Sequence, residues 1–402
     1  MPILFILALV FLFAGCVSDN DDDTTANEAD DDSAAPPDDD DDNDDNNDND
    51  AADDDTTPAD DDTTPADDDT IDDDETSENA IAVGGSENYG PVAWIRGPKG
   101  WSALTFPGVP TLYPLNDVSA FNDAGAFLVG GYGQTAGVYE YKDGTLIDRS
   151  FACYSCWQFG VSALNATRAA SAGCYANMGF TTSRIWIDDG VQFTAAAVAE
   201  PNANGMCVAR DISWINQDEA VAVGRDYYTN LGILWSGNEQ GFAIEEPPAV
   251  AGSWQLTAVA ACPGDEVYAV GTHGAVAQGL VLRRTAKGWS KETLPAISLH
   301  WDLRGIGCSD DSVFAVGYDW INGRGLLLKK TAAWTSETLP LADGGWGLDA
   351  IATDSNGGGY LVGYDHFASR AVIFRGSAGE WQPEDPPAAE ENQPLLGVAI
   401  LD

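Results

Sequence analysis

Basic residues are scarce in this 402-residue chain: 18 Lys plus Arg stand against 65 Asp plus Glu, and the formal net charge is −47. That imbalance disfavours nucleic acid and anionic membrane surfaces as partners. Residues 19–78 hold 31 of the acidic residues and no Lys or Arg, which leaves 34 acidic against 18 basic, or −16, for residues 79–402. Histidine is rarer still, with three in the chain. A metal centre or His-based acid-base machinery therefore has few candidates, and no metal or other cofactor is expected. Gly-x-Ser-x-Gly, His-Glu-x-x-His and Walker motifs are missing, and with them the readable signatures of the commonest hydrolases and phosphate-binding enzymes. No helical period appears from Asn79 onward.

The first apolar run, residues 2–17, is too short to span a bilayer as a helix and reads as the core of a signal peptide. Its end, Phe13-Ala14-Gly15-Cys16, resembles the lipobox of bacterial lipoproteins. That resemblance implies that Cys16 becomes a lipidated mature N-terminus and holds the protein on a membrane of the cell envelope, at the outer membrane or the cell surface. Residues 17–78 follow as Asp runs broken by Thr-Thr-Pro-Ala and Asn, with almost nothing apolar to bury. Such a stretch is expected to stay disordered and extended. At about 3.3–3.6 Å per residue it could hold a globule up to roughly 200 Å from the lipid.

Residues 79–402 carry an internal repeat. A short apolar strand ending in Val-Gly recurs with its glycine at Gly84, Gly130, Gly224, Gly271, Gly317 and Gly363, and Ala170-Ser171-Ala172-Gly173 is a degenerate seventh copy. The glycines lie 46, 43, 51, 47, 46 and 46 residues apart. Ahead of each lies a small-residue strand, such as Leu256-Thr257-Ala258-Val259-Ala260 or Leu303-Arg304-Gly305-Ile306-Gly307. Behind it come an apolar strand ending in a basic residue and then a strand opened by an aromatic residue, as at Trp101, Trp289 and Trp334. Four short strands per unit make one antiparallel blade, and seven units predict an all-β, seven-bladed propeller. The region begins at Asn79 with a strand of the second type and ends at Leu395–Leu401 with an unpaired strand of the first type. Both termini are thus expected to share one blade and close the ring, which removes the open sheet edges.

The repeats resemble kelch blades in the pairs Gly84-Gly85 and Gly130-Gly131 followed by a later Trp. They also resemble Asp-box, or sialidase-type, blades in the turns Gly97-Pro98-Lys99-Gly100-Trp101, Ala286-Lys287-Gly288-Trp289 and Ser377-Ala378-Gly379-Glu380-Trp381, which lack the Ser and Asp of that motif. Both resemblances imply a propeller, and a shared fold does not carry a function with it.

Loops after the Val-Gly strands and loops between blades are expected on one face. There the sequence offers Asn88-Tyr89, Tyr132, Tyr175, Asp226-Tyr227-Tyr228, Asp319-Trp320 with Asn322, and Asp365-His366-Phe367. Aromatic planes beside carboxylates and amides suit a glycan, a peptide or an envelope protein. Tyr227, Tyr228, Asp226, Trp320, Asp319, Asn322, Asp365, His366 and Phe367 are the candidate ligand-binding residues. The repeat-periodic aromatics Tyr113, Trp157, Trp254, Trp301 and Trp346 are expected to pack between blades instead. His273, His300 and His366 share the same face, and Asp226, Asp319 and Asp365 are the carboxylates a glycoside hydrolase or polysaccharide lyase would draw on. No catalytic residue is assigned. Beyond Cys16 there are six Cys, and structural disulfides are expected. Cys153, Cys156, Cys174 and Cys207 surround the third blade and are read as two bridges with open connectivity, while Cys262 and Cys308 occupy equivalent positions in adjacent blades. The leading expectation is a monomeric, envelope-anchored binding scaffold, and the alternative is a carbohydrate-active enzyme on the same scaffold.

Overall fold

Runs of Val, Ala, Leu and aromatic residues punctuated by Gly, Asp and Pro turns favour short strands over helices. A computed structural model bears this out over residues 79–402, apart from 89, 109–112, 123–124, 132–134, 154, 178–179, 203–204, 342–343, 378–379, 388–391 and 402. Cys16, the apolar leader and the Asp-rich stretch lie outside the described residues, as do Tyr89 and Tyr132. Among the described residues there is no helix, and the strands form seven antiparallel sheets, six of four strands and one carrying an additional short strand. The addition is Phe151–Ala152, which pairs with the third strand of blade 2. The inner strands, numbered by blade from 1 to 7, are Leu395–Leu401, Leu115–Asn122, Cys156–Asn165, Cys207–Trp214, Gln255–Cys262, Trp301–Cys308 and Trp346–Thr353.

Closure follows the sequence expectation. Leu395–Leu401 pairs antiparallel with Asn79–Ser86 from Asn79↔Leu401 to Gly84↔Leu395. Leu395, Val398, Ile400 and Leu401 are all buried. At about 1.5–3 kcal/mol per large apolar side chain, that strand alone is worth a substantial share of a typical domain's stability.

The repeat glycines owe their invariance within the chain to an irregularity in the strand beside them. In every blade the register between the first and second strands slips by one residue, at Leu396, Asn116, Phe159, Arg210, Thr257, Arg304 and Asp349 in turn. Each slip is a β-bulge, with one extra residue on the inner strand. The bulge drives the carbonyl of the residue two before it against the repeat glycine. A methyl at Gly84, Gly130, Gly173, Gly224, Gly271, Gly317 or Gly363 would overlap the carbonyl oxygen of Pro394, Pro114, Trp157, Val208, Gln255, Asp302 or Gly347 respectively. Backbone cannot swing aside as a side chain can, so the position admits only glycine.

Between blades three of the five periodic aromatics pack as expected, while Tyr113 and Trp157 are only half-buried. Trp254, Trp301 and Trp346 are buried, and their rings cover Gly232, Gly279 and Gly325 on the third strand of the preceding blade. On the outer rim a second device recurs. Trp101 donates to Glu384 at 2.8 Å beside the Arg96–Glu384 ion pair, and Trp334 donates to Glu292 at 3.2 Å beside Lys330–Glu292 at 2.6 Å. Trp289 and Arg284 meet Glu245 in the same way. The basic residue that closes the third strand therefore acts with the outer Trp to clasp the blade before it.

Cys262 and Cys308, each at the end of an inner strand, form a disulfide between blades 5 and 6, and Cys153 pairs with Cys156. The expectation of two bridges around blade 3 is corrected: Cys174 and Cys207 are buried and belong to neither bridge. Cys207 lies in the apolar cluster between blades 3 and 4. Burial, followed by the charges of Glu200 and Asp226, pushes its thiol well above the usual range and leaves it unreactive.

Candidate functional site at the axial mouth

A β-bulge re-aims the side chain it carries. Here seven bulges in one layer, near the end where chains enter from the preceding blade, send seven side chains toward the axis. Leu396 follows Pro394 and Leu395 out of the last loop, and Arg210 and Arg304 stand at the matching places in blades 4 and 6. All seven bulged residues, with Val398 of blade 1, line one cavity of about 140 Å³. All seven inner strands contribute to it. A larger hollow of about 610 Å³ at the other end of blade 4 lies among Asn216, Asp218 and Asn238. It belongs to a single blade and gathers neither an aromatic ring nor a cation.

The residue after each bulge sets how the wall is built. In blades 2 and 4 it is Asp, and in blades 1, 3 and 6 it is Gly. A methyl at Gly397 would meet the Asp117 backbone, and one at Gly160 would meet Asp211. Each small residue thus makes room for the neighbour's carboxylate. Asp117 accepts the Val161 amide of blade 3 at 2.8 Å, and Asp211 accepts the Val259 amide of blade 5 at 2.7 Å. Ser119, Ser162 and Ser213 repeat this pattern deeper along the inner strands by accepting the amides of Ala163, Trp214 and Ala261. Burial pushes the Asp117 carboxyl up to about 7, against the pull of the Val161 and Val118 amides. Asp211 is raised by burial and then by the charge of Asp117. These carboxylates staple blades together, with main-chain donors occupying the oxygens that face the wall.

Two arginines bring charge to the mouth. Arg304 is held between Asp302 at 3.1 Å and Asp349 at 2.9 Å. Burial works against its charge, and the two carboxylates more than offset that and hold its pKa above the ordinary value. Its guanidinium also lies 5.6 Å from the ring of Tyr318 and 5.8 Å from that of Trp320. Arg210 stacks 4.7 Å over Phe159 and donates to the Tyr227 hydroxyl at 2.7 Å.

Around this mouth the loop residues singled out from the sequence fall into two groups. In blades 6 and 7, Trp320 is 48% exposed, its indole N–H donates to Asp302 at 2.9 Å, and its ring stacks on His300 and meets the edge of Tyr318. His366 packs on Tyr318 and Tyr364. Phe367 is 83% exposed, with its ring beside Gly345. In blade 4, Tyr227 reaches the mouth through Arg210, whereas Tyr228 points to solvent and is 62% exposed. The three aspartates serve the turns. Asp226 accepts from the Tyr228 and Thr229 amides, the Thr229 hydroxyl and Asn202. Asp319 accepts from the Ile321 and Asn322 amides, the Asn322 side chain and Ser298. Burial opposes ionisation of Asp319, and the Ser298 and Asn322 donors more than reverse it. Asp365 accepts from the Phe367 and Ala368 amides. The three histidines do not converge: His273 bonds the Ala251 carbonyl, apart from the His300 and His366 contacts. Among the described residues no group of His, Cys, Asp or Glu is arranged to hold a metal ion.

Sequence reading missed the bulge ring, although its signal was present. Written blade by blade, the inner strands read Leu-Asn-Asp-Val, Gln-Phe-Gly-Val, Ala-Arg-Asp-Ile, Leu-Thr-Ala-Val, Leu-Arg-Gly-Ile, Leu-Asp-Ala-Ile and Leu-Leu-Gly-Val. The second position alone varies without restraint within an otherwise constrained strand.

No family model matches the sequence, and no curated protein matches it. Solved structures do match in fold. A candidate 6-phosphogluconolactonase from Bacteroides fragilis superposes with a TM-score of 0.57 at 12% identity, covering 82% of this chain and 99% of that one. Another from Bacteroides uniformis gives 0.55 at 10% identity, covering 81% and 99%. A streptogramin B lyase gives 0.51 at 11%, covering 71% and 86%. At such identities the similarity establishes the propeller architecture and does not transfer chemistry.

Proposed function

We propose that this chain is a lipid-anchored, extracytoplasmic propeller whose loop face binds a ligand or partner of the cell envelope. The observation that carries the reading is the bulge ring. Seven side chains of six kinds are aimed from a regular scaffold at one cavity, and Trp320, Tyr228 and Phe367 stand exposed on loops of the same face. Variation confined to one layer of otherwise uniform repeats is how repeat scaffolds carry recognition. The lipid anchor rests on Ala14-Gly15-Cys16 at the end of the apolar leader, and the paired cysteines suit an oxidising compartment. The repeats themselves we read as degenerate relatives of kelch and Asp-box blades, on the Gly-Gly pairs and Gly-Trp turns alone.

A glycan and envelope-protein binding screen on the whole protein tests the binding role, with Trp320→Ala as the control. Loss of an aromatic anchor that the ligand fully covers typically weakens binding by about 2 kcal/mol or more. Screen hits that bind wild type and Trp320→Ala equally, or the absence of any hit, would remove the loop face as the binding surface. Lipidation is tested by labelled palmitate, which should enter the wild type and not Cys16→Ser.

Asp117 and Asp211 give the carbohydrate-active enzyme its one supporting observation. They are enclosed carboxyls at the cavity, and a raised pKa is what a general acid requires. Their bonds to Val161 and Val259 make them part of the wall first, and binding without turnover remains the better-supported function.

A further inference from the structure

Among the described residues, the tryptophan locks of the ring are missing on both sides of blade 3, whose strands are Cys156–Asn165, Arg168–Asn177, Phe180–Asp188 and Phe193–Ala195. Trp301 lies opposite Asp319, two residues past the repeat glycine, and the residues in that register at the two seams of blade 3 are Cys156 and Cys207. On the outer strands Phe193 and Phe242 take the place of the clasping Trp and have no side-chain N–H to donate. The Cys262–Cys308 disulfide crosses the seam of blades 5 and 6, whereas Cys153–Cys156 stays within the entry to blade 3. Opposite the repeat glycine Gln158 stands where the other blades have Leu115, Leu256, Leu303, Leu348 and Leu395, or Ala209. Its side chain is fully buried, and neither amide atom has a partner. Ser171 Oγ is also buried and unpaired, and it shares with Gln158 the face that packs on blade 2, as their strand neighbours Ala169 and Cys156 show. Ser183 Oγ, two residues before Ile185, and Trp214 Nε1 repeat this at the seam with blade 4. Polar bonds hold the seams instead: Arg149 bridges Glu140 and Asp188, Arg168 pairs with Glu239, and Glu200 accepts the Ser183 amide at 2.8 Å. Buried polar groups without partners weaken the closed ring and regain water when a seam parts.

We propose that blade 3 is a gate in the ring, parting from blades 2 and 4 while the other blades stay closed. The inference does not depend on what the loop face binds. Phe159 is this blade's bulged residue and lies in the cavity wall between Asn116 of blade 2 and Arg210 of blade 4, so the movement widens the axial cavity. Protons bear on the gate through four carboxyls at its seams. Asp117 accepts the Val161 amide of blade 3, Asp211 stands against Gly160, and Asp188 and Glu200 make the contacts just described. Burial raises all four. At Asp188 the charge of Arg149 opposes the rise, and Asp189 and Glu140 add to it. At Glu200 the Cys207 thiol, the Ser183 amide and Arg184 oppose it, and Asp226 adds to it. Asp117 adds to the rise at Asp211, and Arg210, Arg304 and Asp349 line the cavity that both carboxyls border. A carboxyl raised in the closed ring favours closure while protonated, and that contribution is lost as pH climbs through its folded value. The gate therefore loosens as pH rises.

Hydrogen–deuterium exchange of the full chain, read by mass spectrometry, tests the proposal. After correction for intrinsic rates, amides in the first three strands of blade 3 should exchange at least about tenfold faster than those in Trp301–Cys308, Val313–Asp319 and Arg324–Lys330 of blade 6. Both blades share one sample, so the ratio of their protection isolates the gate. That ratio should widen by about tenfold between about pH 5 and about pH 8. Gln158→Leu gives blade 3 the residue of the other blades and should bring its protection close to that of blade 6. Thermal unfolding checks the fold of the variant, and Ser171→Ala provides the same test should Gln158→Leu not fold. Equal protection in blades 3 and 6 overturns the proposal, as does a ratio that neither variant moves. Protection lost equally from blades 2, 3 and 4 replaces the gate by a loosened half-ring and likewise overturns it. A ratio that stays constant with pH overturns the part given to the carboxyls and assigns the opening to the unpaired groups.

Discussion

Trp301 and Gly279 offer the sharpest test of how the blades hold together. Trp301 opens the inner strand of blade 6, is 3% exposed, and covers Gly279 at the start of the third strand of blade 5. Trp301→Ala removes a large buried ring from a cluster that includes Val270, Val281 and Leu326, and should cost about 3–5 kcal/mol. Gly279→Ala places a methyl into the space the ring fills. The indole is hemmed in and cannot retreat freely, so overpacking should cost about 1–3 kcal/mol. In the double variant the new methyl occupies part of the vacated volume, and its cost should fall short of the sum by at least about 1 kcal/mol. Urea unfolding followed by circular dichroism reads all three values. Additivity within about 0.5 kcal/mol, or a Trp301→Ala cost below about 1 kcal/mol, would refute the lock between blades.

Gly317→Ala should destabilise by about 2 kcal/mol or more and disturb the bulge that carries Arg304, because its methyl meets the Asp302 carbonyl; near-neutral thermal unfolding would contradict this. Deleting residues 395–402 removes the inner strand of blade 1 and should abolish cooperative unfolding, which scanning calorimetry would register. Replacing Cys262 and Cys308 together by Ser opens a link spanning 46 residues and should cost about 4 kcal/mol, measured as a drop in urea midpoint. Burial raises Asp117 from 3.8 to about 7, so its contribution to stability is complete below about pH 4 and is lost as pH rises through 7. Asp117→Asn should therefore lose less stability than wild type between those limits, and parallel melting curves across that range would show that the carboxyl is not shifted.

The loop carboxylates show how a sequence pattern can be real and still serve a different end. Asp226, Asp319 and Asp365 recur at the end of the second strand beside aromatic residues, which is what a binding loop would show. They recur because each turn that follows needs an acceptor for the amides two and three residues on. Asn322 belongs to the same arrangement, spending its side chain on Asp319. Trp320 and Phe367 depart from the repeat and do stand exposed. Tyr227 departs from it too, and is the residue that joins the loop to the axial mouth.

The Val-Gly repeat, the taper of small residues and the split blade at the termini determined the number of blades, their strand order and the closure of the ring. These are local, period-two signals repeated seven times, so each copy reinforces the others. Tertiary structure alone decided which cysteines pair, because Cys153, Cys156, Cys174 and Cys207 gather near one blade and only their geometry separates them. It alone also decided the candidate site. Asn116, Phe159, Arg210, Thr257, Arg304, Asp349 and Leu396 lie far apart in the chain and meet because a one-residue bulge recurs in each inner strand and ring closure turns seven separate bulges toward one axis.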